Sequence, residues 1–205
     1  YISHYTKNYT KNPDLIPACG VTKDDEEMLL EGFDFDHIGF ENGQVLSRAP
    51  EGPVALKTYR LALACTGEFG SAKGGTVENV LSVMNQSVTK LNEVFENEVG
   101  VRLILIEEND QIVHLNGSVD PYVNANMGGS LLSQNTMAIT NLIGFSGWDV
   151  GHIYTNSCSD VGGIASLASV CSANKGAGVT CHYSSDIDFI TLRVAAHEFG
   201  HQFAA

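Results

Sequence analysis

The stretch TVENVLSVMNQSVTKLNEVFENEVGVRLILI, residues 76–106, decides how the chain folds. Val77, Val80, Leu81, Met84, Val88, Leu91 and Phe95 recur at three- and four-residue spacing, which puts them on one stripe of a long helix. Thr76 suits the N-cap, Glu78 complements the positive end of the helix dipole, and Gly100 marks the stop. Val101 to Ile106 follows at once as a strand. Upstream, Thr58 to Cys65 alternates and then fills with apolar residues, as a buried strand does. Strand, helix and strand in that order predict two parallel strands joined by a right-handed crossover.

Downstream, Ile112 to Leu115 reads as a short hairpin return and residues 116–130 as an Asn- and Gly-rich loop. Leu131 to Leu142 reads as a shorter helix, Val150 to Tyr154 as a third strand and Gly163 to Val170 as a fourth. Asp186 or Asp188 caps a final helix running to the chain end. The order predicts an α/β or α+β fold, a sheet with helices packed against it. Residues 1–52 are different in kind: rich in Tyr, Asn, Asp and Gly, with an acidic cluster at Asp24–Glu27 and little periodicity. They read as an extended leading segment, with the ordered domain over 53–205.

The bulk properties narrow the function. Of 205 residues, 43% are hydrophobic and 17% charged, as in ordinary globular proteins. No apolar run approaches the roughly 18 residues of a membrane span. With 24 acidic against 11 basic residues, the net charge of −13 argues against a nucleic-acid surface. Four of the cysteines (Cys65, Cys158, Cys171, Cys181) fall after residue 60, where two disulfides would suit an oxidising compartment, and Cys19 stands apart.

The chemistry lies in His197-Glu198-Phe199-Gly200-His201, of the form H-E-x-x-H. Two histidines four apart on a helix project from one face, so both imidazoles can reach one metal ion. Nitrogen ligands in this pattern suit Zn2+, with an open position left for water. Glu198 lies about 100° around the helix, suited to act on that water as general base. Leu192, Ala196, Phe199 and Phe203 form a separate apolar stripe, which predicts that the helix packs without burying the histidines. Arg193, toward the same side as His197, is given no role. The pattern predicts hydrolysis of peptide bonds in a protein or peptide substrate.

The chain resembles the metzincin clan of zinc peptidases and, within it, the reprolysin (adamalysin-like) family, nearest to the secreted bacterial branch. Beyond H-E-x-x-H, the similarity is carried by Tyr59–Ala64 with Thr66–Phe69, by Asp149–Tyr154, and by Gly162–Ala165 through Val170–Ser172. Gly176–Val179 and Val194–Phe203 complete it. It covers residues 55–205 and implies a zincin-like, mostly parallel twisted sheet with a long backing helix and an active-site helix. It also implies that the edge strand Gly163, Ile164, Ala165, Ser166 pairs with an extended peptide substrate by strand addition. The family pattern is H-E-x-x-H-x-x-G-x-x-H. Here Ala204 takes the glycine position, and the third histidine would fall two residues beyond Ala205. The third ligand and the C-terminal subdomain are therefore expected beyond the 205 residues, which by themselves are expected to be inactive.

Pro17-Ala18-Cys19-Gly20-Val21-Thr22 resembles the cysteine switch that ends metzincin propeptides. A thiolate binds Zn2+ strongly and would occupy the open position, so Cys19 is the expected latch of a zymogen. Cys171 and Cys181 are close enough in sequence to close a small loop. Parallel neighbouring strands, as in the family sheet, would bring Cys65 to Cys158. Resemblance and cysteine usage together imply a secreted protein. Two alternatives remain open: a non-catalytic binding module with an incomplete metal site, and a zinc peptidase of another clan with a Glu as third ligand.

Overall fold

The computed structural model describes residues 40–41, 44–45, 55–182 and 186–204. Cys19 and most of the leading segment lie outside them. A minimal antiparallel pair, β1 (Phe40–Glu41) and β2 (Gln44–Val45), comes first. The domain then runs β3 (Lys57–Cys65), α1 (Gly67–Ala72), α2 (Val77–Glu98) and β4 (Val101–Leu105), followed by a 3-10 turn at Glu107–Ile112. Next come α3 (Gly128–Ile143), β5 (Val150–Thr155), β6 (Gly163–Ala165) and β7 (Gly178–Cys181). Among the described residues no helix is long and apolar enough to cross a membrane.

The predicted crossover is present. The Thr76 hydroxyl caps α2 by accepting from the Asn79 amide at 3.3 Å, and Gly100, at φ +67°, turns the chain into β4. β3 and β4 pair in parallel, Lys57 opposite Val101 and Leu61 opposite Leu105. The sheet order is β4-β3-β5-β7-β6, parallel throughout except for the antiparallel edge strand β6. This is the mixed, mostly parallel sheet with a long backing helix that the resemblance implies.

Strand alternation divides the core into two layers. Leu61, Leu63 and Cys65 face α2, where Val80, Met84, Leu91 and Phe95 pack with Tyr154 and Phe199. Ala62 and Ala64 face the other way, toward Leu131, Ile139 and Trp148. The outer edge of β4 is closed by a side chain: the Asn92 amide donates to Leu103 O (2.9 Å) and accepts from Leu103 N (2.8 Å), standing in for a neighbouring strand. Asn109 does the same for Leu63 beyond the end of β4 (2.9 and 3.0 Å).

Three expectations need correction. Ile112–Leu115 is not a hairpin: it follows the 3-10 turn at Glu107–Ile112 and touches the sheet through a single parallel bridge, Cys65 to Val113. The fourth strand stops at Ala165, and Ala168, at φ +50°, lies in a left-handed turn that no strand can continue. The strand that pairs with it, β7, is short and starts at a glycine, so it gives little alternation to read. Because β7 lies between β5 and β6, its end meets the connection leaving β5. The disulfide therefore joins Cys158 to Cys181 (Cα–Cα 5.6 Å), replacing the expected Cys171–Cys181 and Cys65–Cys158 pairs. Cys65 and Cys171 are free. Cys65 donates weakly to His114 O (3.6 Å), and burial pushes its thiol pKa up to about 12, so it is inert.

The Cys158–Cys181 bridge spans 23 residues, and a closed loop of that size stabilises a fold by about 3 kcal/mol. Cys158→Ser or Cys181→Ser should lower the unfolding free energy by that order, measured by urea denaturation. A change under about 0.5 kcal/mol, the range of ordinary surface substitutions, would show that the bridge does not constrain the chain.

Candidate metal centre

The H-E-x-x-H run sits on a helix that is not uniform. It starts as α4 (Ile187–Ile190), with Ile190 N donating to Asp186 O at 3.2 Å. It widens to a π turn at Thr191–Ala195 and resumes as α5 (Ala196–Gln202). A π turn adds a residue to the repeat and rotates everything after it against a 3.6-residue pattern. The buried face is therefore Ile190, Thr191, Val194, Ala195 and Phe199, not the expected Leu192, Ala196, Phe199, Phe203 stripe, of which Phe199 alone is fully buried. Thr191 anchors the wide turn. Its hydroxyl lies 2.9 Å from the Ser87 hydroxyl of α2, which lies 2.6 Å from the Tyr154 hydroxyl of β5.

His197 and His201 point their Nε2 atoms at each other, 3.0 Å apart. Two nitrogens bound to one tetrahedral ion at about 2.0–2.1 Å stand roughly 3.3 Å apart, so the pair fits zinc with a few tenths of an ångström of opening. His197 is exposed, whereas His201 is buried, contrary to the expectation that both stay clear of the packing. The segment after β6 covers His201: Ala168 N donates to His201 O (2.9 Å) and Val170 N to Gln202 O (3.3 Å). Among the described residues no group of three or more His, Cys, Asp or Glu side chains converges on one point, so within them the nitrogen donor set is this pair.

Glu198 is only 1% exposed and lies under the edge strand. A Cβ placed on Gly163 would stand 2.6 Å from its Oε1 and 2.8 Å from its Cδ. Glycine at 163 is what lets the carboxylate tuck against β6. Of the expected substrate strand, Gly163, Ile164 and Ala165 lie in β6, and Ser166, one residue past its end, donates its N–H to Ala177 O (2.9 Å).

At its C-terminus α5 ends in a turn. Ala204, where the resembled pattern has glycine, adopts φ +63° with its N–H donating to His201 O (3.0 Å). An Ala in the left-handed region costs about 1 kcal/mol. Ala204→Gly should therefore raise stability by about that much in thermal or urea unfolding. A loss of stability would mean that the turn is not left-handed.

Sequence reasoning passed over a buried polar cluster behind α5. His152, Thr180 and Gln202 are all fully buried. His152 Nδ1 lies 2.9 Å from Gln202 Oε1 and its Nε2 2.8 Å from the Thr180 hydroxyl. Gln202 Nε2 donates to Gly151 O at 3.0 Å, and the His152 ring stacks on Phe199 at 4.3 Å. The available signal was a His at an inward position of an apolar strand together with a Gln directly after the second histidine of the motif.

Burial pushes the His152 pKa down to about 4, opposed by its bond to Gln202. His182, wedged against Phe69 and Tyr154, is pushed to about 3 by burial, with Lys73 and His152 adding to it. In the unfolded chain both titrate near 6.5, so at lower pH the unfolded state binds more protons than the folded one. The stability their neutral forms carry is complete above about pH 6.5 and is lost as pH falls toward 4. The urea midpoint of the metal-free protein should drop between pH 7 and 4.5, and a flat midpoint would contradict these shifts.

Residues 81–205 match the family model of the reprolysin-like metallo-peptidases, family M12B. No curated protein matches the chain significantly.

Proposed function

This chain belongs to metallo-peptidase family M12B, reprolysin-like, and from that premise we propose that it serves a secreted zinc endopeptidase, made as a zymogen, with Glu198 as general base. The observation that carries this reading is the convergence of His197 and His201 Nε2 to 3.0 Å on the same helix turn as the buried carboxylate of Glu198.

His197 and His201 would hold the zinc, with a third protein ligand following the turn at Ala204. When bound, the ion supplies Lewis-acid polarisation of the scissile carbonyl and makes water more acidic. The Glu198 carboxylate accepts a proton from the attacking water and delivers it to the leaving amine nitrogen. The outer edge of β6, from Gly163 to Ser166, takes the substrate as an added strand, with main-chain hydrogen bonds fixing its register. What supports this mode is that β6 is the terminal strand of the sheet and lies directly over Glu198. Cys19 would supply the thiolate that keeps the zymogen latent, a role resting on the Pro17–Thr22 run. The Cys158–Cys181 disulfide supports an oxidising, extracellular setting.

The test is digestion of a peptide mixture by the full-length, activated protein, with cleavage read by mass spectrometry. Chelation should abolish cleavage and added zinc should restore it, whereas cleavage indifferent to both would overturn the assignment. A second expectation concerns Gly163→Ala. The added methyl cannot coexist with the present position of Glu198, and a displacement near 1 Å in a catalytic group costs on the order of 10²-fold in rate. Its kcat should fall by about that factor with zinc content unchanged, and wild-type kcat would show that the carboxylate does not depend on the glycine.

A further inference from the structure

We propose that Thr180, His152 and Gln202 are positioning residues for the metal site: a one-directional hydrogen-bond chain that fixes the helix turn carrying His201. The inference rests on the zinc-peptidase reading and names residues in the sheet behind the helix that this site depends on.

The direction of the chain follows from the donors and acceptors. Gly151 O can only accept, so the group facing it at 3.0 Å is the Gln202 amide nitrogen. That orientation puts Gln202 Oε1, an acceptor, against His152 Nδ1 at 2.9 Å, so Nδ1 carries the proton. His152 Nε2 is then a lone-pair acceptor, and the Thr180 hydroxyl donates to it at 2.8 Å. Burial keeps the ring neutral, as this tautomer requires. Every link has one possible donor, which leaves a single arrangement for the three side chains.

The chain ties α5 to two strands of the sheet. Gln202 directly follows His201, and its side chain reaches β5 at both Gly151 and His152, while Thr180 belongs to β7. Thr180 also stands opposite Gly163 in the β6–β7 pair, and Gly163 is the residue against Glu198. The strand read as binding substrate, the general base and the second histidine are thus referenced to one pair of strands. Space is reserved for the chain: a Cβ on Gly178 would stand 2.4 Å from both Gln202 Oε1 and His152 Nδ1. A buried polar network of this kind does little for stability beyond what apolar packing supplies, but it specifies one geometry.

The test uses the full-length protein loaded with cobalt(II), whose visible spectrum reports ligand geometry. His152→Phe keeps a ring on Phe199 but loses both nitrogens, whereas His152→Asn retains a donor near the Nδ1 position. Gln202→Met keeps length and helix propensity while removing both polar ends. Losing a group bonded directly to a metal ligand costs about 10–100-fold in metal affinity; this chain acts one step farther back, through the helix turn, and its loss should cost the lower end of that range, about 10-fold. His152→Phe and Gln202→Met should weaken cobalt binding by that factor, alter the visible bands and lower kcat with KM changed less than about 2-fold. His152→Asn should restore most of the affinity. Wild-type cobalt affinity and spectrum in folded His152→Phe or Gln202→Met would overturn the positioning role while leaving the zinc reading intact. Should His152→Phe not fold, Gln202→Met decides the matter alone. Failure of the wild-type protein to bind cobalt would bring down both readings together.

Discussion

Glu198→Gln should lower kcat for peptide cleavage by about 10²- to 10⁴-fold, the usual contribution of a positioned general base, while zinc binds as before. The change is nearly isosteric, which matters because Glu198 is buried and packs against Gly163. An amide fills the same space under β6 but cannot take a proton from water. The lost factor should therefore fall on kcat, with little change in KM, because on the proposed reading the substrate strand would pair with β6 and not with this side chain. Zinc content by elemental analysis separates this outcome from loss of metal. Activity within 10-fold of wild type in the zinc-loaded Glu198→Gln variant would assign the base elsewhere.

His197→Ala and His201→Ala should each cost more zinc affinity than the roughly 10–100-fold typical when only the group behind a ligand is lost. They should differ in what else they do. His197 is exposed, so its removal should leave the unfolding free energy within about 0.5 kcal/mol. His201 is buried beneath the segment that donates to its carbonyl, so its truncation also opens a space in that packing and should lower stability measurably. Zinc titration of the two variants beside calorimetric unfolding tests both halves. Retention of wild-type zinc affinity by either variant would remove that histidine from the ligand set.

The crossover from β3 through α2 to β4 was legible because each element carries its own local signals: the heptad-like stripe, Thr76, Gly100 and the run from Val101. The convergence of His197 and His201 was legible for the same reason, since their four-residue spacing has meaning on any α-helix. What escaped depends on the rest of the fold. The π turn at Thr191–Ala195 leaves no mark in an apolar pattern read at 3.6 residues, and it moved the buried face onto His201. Strand β7 is short and glycine-led, so its place between β5 and β6 could not be read, and the disulfide partner of Cys158 depends on that place. Gly163 reads as the first residue of a strand, and its need to be glycine shows only when the carboxylate of Glu198 is seen against it. His152 and Gln202 are 50 residues apart, and neither spacing nor composition announces their contact.

Anomalous diffraction at the zinc absorption edge, on crystals of the zinc-loaded full-length protein, tests the metal assignment most directly. A single strong peak is expected about 2.0–2.1 Å from both His197 Nε2 and His201 Nε2, with the Glu198 carboxylate beside it under β6. A zinc peak bound by other residues, with none at this histidine pair, would contradict it.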